Sequence, residues 1–458
     1  MPPKAKRSDH SAGRGCVRVR SGGGWLWAGI LSGALTLAGS LAAPAGAAGT
    51  LVDGPALPPG SELAVRVLNG ELMILRPSID GGIVVGSGID PLWSADGRWL
   101  AFLVPRAGGS PSGGALWVAS ANGRDDHRVA GIGPIYPGQF AWSPARDELA
   151  VATSGSAFVR QTGAGGVYLV TPNGRPRRLL PSSWQVDGSV LWAPDGRSLA
   201  LSRIGPVRRG VGASASLYVV RVPGGAPRRL VTARGEGLLP AAWWPDGRGL
   251  LYWLDPLFSG SVAADGLPLE SLPLGRAPKA LGVTLPYPTS LSLAGDSAAI
   301  MLGPNREVWD DKAVALCALA AARCRKLSPP SGEVALDPAL AESGALAFVT
   351  ARSRAGAGGW PPPSDRHLGR WLKSERLWIA APNRRARVVR AAGSGIAAPA
   401  WSADDRYVLY VRDRSLYVLD TATGRATLVV GTFAPLGTRF GYYGYVAWGT
   451  FFAWHTQP

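Results

Sequence analysis

Residues 93–102 read WSADGRWLAF, residues 192–201 read WAPDGRSLAL, and residues 243–252 read WWPDGRGLLY. Each stretch holds a Trp, a second residue that is small in the first two, Ala or Pro, then Asp-Gly-Arg, one variable residue and an apolar triplet. Asp-Gly suits a tight connection between two short strands, because Gly accepts positive φ and Asp hydrogen-bonds its own turn. The Trp supplies a large ring to bury between neighbouring units. Degenerate copies begin at Trp142 (WSPARDELAV), Leu293 (LAGDSAAIML) and Trp401 (WSADDRYVLY). A weaker one starts at Leu336 (LDPALAESGALAF), and ALPPGSELAV from Ala56 fits with Pro59 in place of the Asp.

These eight starts lie 37 to 65 residues apart, most of them close to 50. Repeats of that period, with a third apolar strand (LWVAS, VYLVT, LYVVR, LWIAA, LYVLD) and a polar turn ahead of a fourth, predict an all-β chain. The expected fold is a single β-propeller of four-stranded blades, eight in number with seven as the alternative. Trp448 opens a partial ninth motif, AWGTFFAW, so the carboxy-terminal strand is expected to pair with the amino-terminal strands and close the ring. In this reading Trp93, Asp96, Gly97, Trp142, Trp192, Asp195, Gly196, Trp243, Asp246, Gly247, Trp401 and Trp448 are structural. The 18 Trp against 9 Phe, and the 62 Gly, follow from one motif used many times.

The Trp-Ser-Pro-Asp-Gly-Arg-x-Leu-Ala-Phe pattern resembles the WD40-like (PD40) repeats of the TolB family, which also occur in the propellers of prolyl oligopeptidase and dipeptidyl peptidase relatives. The resemblance covers nearly all of residues 56–448. It implies the fold and leaves the function open, because the matching residues build turns and cores in every such protein. Peptidase relatives add an α/β-hydrolase domain with a Gly-x-Ser-x-Gly elbow, and this sequence has no such elbow. The α/β domain that precedes the propeller in TolB has no counterpart here either.

Net charge is +17, but residues 1–48 carry six cations and one carboxylate, so the remainder holds +12. The basic stretch is followed by WLWAGILSGALTLAGSLAA (25–43) and by Ala-x-Ala options ending at Ala45 or Ala47. That order predicts residues 1–48 as a secretory signal peptide or, uncleaved, a signal anchor, with residues 49–458 as the propeller. An exported, periplasmic, cell-surface or secreted protein is expected, with a membrane tether if the segment stays. Cys317 and Cys324 flank a turn at Ala320-Ala321 in a register that puts them opposite each other, so a disulfide is one reading and two free thiols the other. No other Cys or nearby His completes a metal set, and no cofactor is expected.

Tight turns (Asp-Gly; Asn-Gly and kin) fall on one face of such a disc. The connections near 106–114, 154–166, 203–215, 255–267 and 353–375 are long and emerge on the other. Long loops on a rigid scaffold mark the binding face. The longest, the insertion at 353–375, carries Trp360, His367, Arg370 and Trp371, an aromatic and arginine set typical of interaction surfaces. Tyr442, Tyr443 and Tyr445 lead into the closing blade on that face and are candidates for a groove or for packing at the joint. Arginine pairs (177–178, 228–229, 384–385) precede outer strands; they suit an anionic partner or a solvated rim. The three histidines beyond the signal (His127, His367, His455) stand apart, and no paired-acid motif or nucleic-acid module is visible. The functional expectation is a non-enzymatic, monomeric scaffold that binds a protein or peptide partner in the cell envelope through its long-loop face. The alternative is a propeller hydrolase or lyase acting on an envelope carbohydrate or lactone near the central channel.

Overall fold

The computed structural model describes residues 57–457, apart from 78, 106–113, 154–165, 182, 185, 206–213, 257–264, 355–364 and 436–442. The expected segment 1–48 therefore lies outside the described residues. Among them the strands form six separate four-stranded antiparallel sheets and one eight-stranded sheet. The eight-stranded sheet is two such units joined by the single pair Thr284↔Leu302. We number the resulting units as blades 1–8. In blades 2–8 the inner strands are Ile89–Trp93, Phe140–Trp142, Val186–Trp192, Glu236–Trp243, Leu291–Ala294, Glu333–Leu340 and Ile396–Trp401. Each is followed outward by the next three strands in sequence.

Blade 1 is assembled from both ends of the propeller. Phe452–Thr456 is its inner strand and pairs antiparallel with Ser61–Arg66, from Ser61↔Thr456 to Val65↔Phe452. Closure by amino- and carboxy-terminal pairing leaves no free inner edge at the seam. The first turn of this blade is not covalent: Gln457 N donates to Gly60 O at 3.2 Å across the place where other blades have Asp-Gly.

The repeated Trp does two jobs. Its ring enters the apolar layer between blades, and its indole N–H donates to the carbonyl one residue before the equivalent position of the preceding blade. The series is Trp93 to Ala453 O (3.1 Å), Trp142 to Leu92 O (2.9 Å), Trp192 to Ala141 O (3.0 Å), Trp243 to Leu191 O (3.1 Å) and Trp401 to Ala339 O (3.0 Å). Each bond contributes about 1 kcal/mol net, but an unpaired buried N–H would cost more. Eight apolar clusters, one per seam, form the core.

The same series corrects two phase assignments. Trp93 bonds the carbonyl of Ala453, so Trp454, not Trp448, holds the repeat position of blade 1. Trp448 sits in a 3-10 turn (Trp448–Thr450) packed on Phe433 and Phe451. Trp401 bonds Ala339 O, so the repeat position of blade 7 is Leu340 and not Leu336. The turn that follows is then of ordinary length, with Gly344 N donating to Ala341 O at 2.9 Å. Asp96, Asp195 and Asp246 each accept the N–H two residues on, and the glycines beside them have φ of +70°, +64° and +72°. Cys317 and Cys324 are cross-strand partners in blade 6 and are joined as a disulfide, with Cα atoms 4.0 Å apart.

Candidate functional site

The long connections between second and third strands belong to blades 2–7. In blade 1 that connection is Val67–Gly70, closed by a Gly70 N to Val67 O bond, and in blade 8 it is Asp413-Arg414 alone. The arc of long loops is therefore open over blades 8 and 1. The segment between the last outer strand, Arg425–Val430, and the closing strand fills that gap. Phe433, Val446 and Trp448 pack at the seam of blades 8 and 1, whereas Tyr443 O accepts from Val308 N of blade 6 at 3.2 Å. Tyr445 stacks on Tyr287, which precedes blade 6, with centroids 3.6 Å apart and planes 9° apart. The described residues of the segment thus touch both the seam of blades 8 and 1 and the start of blade 6. Gly444 permits the approach: its φ is +85°, and a Cβ there would lie 2.5 Å from Val308 Cγ2 and 3.0 Å from the Trp309 ring.

Trp309 is the node beneath it. It is fully buried, lies edge-on to Trp371 at 5.8 Å, and its carbonyl accepts from Arg354 N at 2.8 Å. The root of the blade 7 insertion is fastened there. Helix Asp365–Leu372 places Leu368, Trp371 and Leu372 in the core at i, i+3 and i+4, and Trp371 Nε1 donates to Arg352 O at 2.7 Å. Ser374 Oγ, held by Trp371 O at 2.6 Å, accepts from Arg352 N at 3.0 Å.

This arrangement corrects the interaction-surface role expected for Trp371, and of the two readings open for Tyr443 and Tyr445 it has packing at the joint. Trp371 and Tyr443 are buried, and Tyr445 is half-buried in the stack, because their apolar area is worth more in the seam than in water. Arg370 is exposed on the last turn of the helix. The backbone of His367 belongs to the same helix, while its side chain, Trp360 and Tyr442 lie outside the described residues. His127 is at the rim with Nδ1 2.9 Å from Asp125 O, and His455 is the cross-strand partner of Glu62 at the seam.

Sequence reading missed the charged groups deep in the disc. Lys312 is buried with its ammonium on the carbonyls of Asn305 and Asp310, the latter at 3.2 Å. Burial lowers it to about 8, against the pull of Asp311, Asp310 and Glu307. Arg306, chelated by Asp265 (2.7 Å from Nη2), lies 5.3 Å over the Tyr443 ring, and the carboxylate holds it above its usual range. Asp90 and Asp337 open Asp-Pro steps three residues before the repeat position, adopt φ of +57° and +46°, and are half-buried on the inner strands of blades 2 and 7. Each accepts a backbone N–H from the next blade: Gly138 for Asp90, and Ala398, at 3.0 Å, for Asp337. Burial raises both carboxyls, Asp90 to about 7. The signal was the shared IDPLW and LDPAL pattern.

An unfolded Asp ionises near 4, whereas Asp90 in the fold ionises near 7. Its raised value therefore stabilises the fold least above pH 7, with stability falling as pH rises from about 4 through 7. Asp90→Asn, which keeps an acceptor for Gly138, is expected to gain on the order of 1–2 kcal/mol at pH 8 and almost nothing at pH 4.5. Denaturant titrations at the two pH values check this, and equal shifts at both would contradict it.

Among the described residues no group of three or more His, Cys, Asp or Glu is placed to hold a metal ion. Nor does any described helix have the length and apolarity to cross a membrane.

No protein-family model and no curated protein matches the chain. Solved structures do match it. Dipeptidyl peptidase 4 of Porphyromonas gingivalis superposes with a TM-score of 0.56 at 8% identity, over 86% of this chain and 61% of that one. TolB from Acinetobacter baumannii matches at 15% identity and TM-score 0.37, over 59% of this chain and 63% of its own. A prolyl endopeptidase matches at 11% identity and TM-score 0.47, over 85% and 50%. The chain spans between half and two thirds of the length of these three proteins, and the likeness is one of propeller fold.

Proposed function

We propose that this chain is an exported, non-enzymatic propeller that binds a protein or peptide of the cell envelope through its long-loop face. The observation that carries the reading is the way the insertion is rooted. Trp371, Leu368 and Leu372 are locked into the core, so the carboxy-terminal root of the insertion is a fixed base. Rigid elements that present a long connection are the usual support of a recognition loop. Export rests on the basic-apolar-small order of residues 1–48. The hydrolase or lyase alternative needs acid and base groups that converge. Asp90 and Asp337 instead belong to blades three steps apart around the seam, each engaged by its own neighbour's N–H.

The test must spare the root. Replacing residues 355–364 by a short Gly-Ser linker is expected to leave the thermal midpoint unchanged. It should also abolish site-specific photo-crosslinking of a partner from Arg370, which faces solvent at the base of the loop. Deleting 354–374 removes Trp371 as well and should lower the midpoint, so loss of binding in that variant carries no information. Crosslinks that survive the 355–364 replacement would remove the loop from the reading.

A further inference from the structure

The opposite face carries a feature that the loop-face reading does not use. Between blades 4 and 5 a cleft of about 840 Å³ opens on the side of the tight turns. Its lining includes Val219, Arg221, Arg228, Trp243, Asp246 and Leu274. A second hollow of about 310 Å³ shares Arg228 and Leu274 with it and adds Arg229 and Arg276, so the two run together along the rim.

Comparison with the preceding seams shows why this one is open. At the seam of blades 2 and 3, Arg98 of the first turn reaches across to Asp147 (2.7 Å). At the seam of blades 3 and 4, Arg146 reaches Gly196 O (3.0 Å), and Arg177, first residue of the outer strand, reaches Pro223 O (2.9 Å). The companion of Arg177, Arg178, lies over the Tyr168 ring at 5.5 Å and donates to its hydroxyl at 3.0 Å. Blade 4 repeats the sequence, PGGAPRRL at 223–230 for PNGRPRRL at 172–179. Yet among the described residues neither Arg197 nor Arg228 has an acceptor across the seam to blade 5. Tyr218, which would receive Arg229, is taken by Trp184 at 4.8 Å, and Trp184 is itself covered by Arg203.

Arg221, Arg228, Arg229 and Arg276 are therefore exposed, gathered on one cleft and without a carboxylate partner among the described residues. Of the two acids in the lining, Asp246 is paired with Arg248 at 2.6 Å, and Asp195, which accepts from Arg197 N, leaves one carboxylate against four guanidinium groups. The floor is aliphatic, with Val219, Leu272 and Leu274, and the Trp243 ring is almost wholly covered. The covered Trp243 ring offers a sugar no face to stack on, whereas a peptide that alternates acidic and apolar side chains meets guanidinium groups on the walls and aliphatic carbon below.

We propose that the cleft between blades 4 and 5 is a docking groove for an extended acidic peptide segment of a partner protein. It lies on the face away from the long loops, so its success or failure is independent of the loop-face reading. The test is fluorescence anisotropy of the full propeller with labelled decapeptides of alternating Glu and Leu, the same with Gln for Glu, and polygalacturonate as a carboxylated sugar polymer. At about 50 mM salt, where exposed charges still act over the width of the groove, the Glu peptide is expected to bind roughly tenfold or more tighter than the Gln peptide. Charge reversal in R221E/R228E should remove that advantage, and R384E/R385E, at the rim of blade 7, should keep it. If the reversed pair lowers the melting temperature, R221Q/R228Q serves instead. Equal binding of the Glu and Gln peptides, equal loss in R384E/R385E, or binding of polygalacturonate alone would each overturn the proposal.

Discussion

Truncation after Phe451 is expected to leave no soluble monomer. The deletion removes the inner strand Phe452–Thr456 and, with it, five cross-strand pairs to Ser61–Arg66. Trp93 loses the Ala453 carbonyl that satisfies its indole, and Ala403 N loses the Thr456 hydroxyl at 2.8 Å. At about 1 kcal/mol per backbone bond, plus the area of Phe452 and Trp454, the loss is on the order of 10 kcal/mol. That is comparable with the whole stability of a typical domain. It also exposes a row of unpaired backbone groups on Ser61–Arg66, an invitation to edge-to-edge aggregation. Size-exclusion chromatography and circular dichroism decide the matter; a truncated monomer melting within a few degrees of the full chain would show that the ring does not depend on its non-covalent joint.

The second large effect is expected at Trp309. Its ring touches the closing segment at Gly444, the insertion root through Trp371, and the core shared by blades 6, 7 and 8. Trp309→Ala opens a cavity that three separate elements would have to fill, and should cost about 3–5 kcal/mol. Trp309→Phe should cost far less, because the indole N–H has no acceptor among the described residues and no bond is lost with it. Chemical denaturation measures both. Limited proteolysis adds a local readout, since Trp309→Ala should speed cleavage within residues 431–451. A loss below about 1 kcal/mol for Trp309→Ala would mean the closing segment does not rest on this ring.

Those two sites mark where sequence reading succeeded and where it stopped. Turn chemistry is local, so Asp96-Gly97, Asp195-Gly196 and Asp246-Gly247 announce their blades without help from the rest of the chain. Blade 1 has no such stretch. Its first turn joins residues 457 and 60 through space, which is why Trp448 looked in phase and Trp454 is. In blade 7 a Leu stands at the Trp position, and the Asp-Pro bulge ahead of it shifted the apparent start by four residues. On the loop face, composition alone cannot tell a buried indole from an exposed one. The spacing Leu368, Trp371, Leu372 was the available signal: an apolar stripe at helical period, pointing inward. The openness of the seam between blades 4 and 5 was not legible at all. Blades 3 and 4 have nearly the same residues there, and the placement of acceptors on the following blade, with Trp184 on the Tyr218 ring, separates a bridged arginine from a free one.

The joint at Gly60 and Gln457 also settles an orientation. Both ends of the ring come out side by side among the tight turns, on the face where Gly97 packs against His455. A surface or fusion partner that grips the protein at residue 457 is therefore met by the turn side, and the strand ends from which the long connections leave lie on the side away from it.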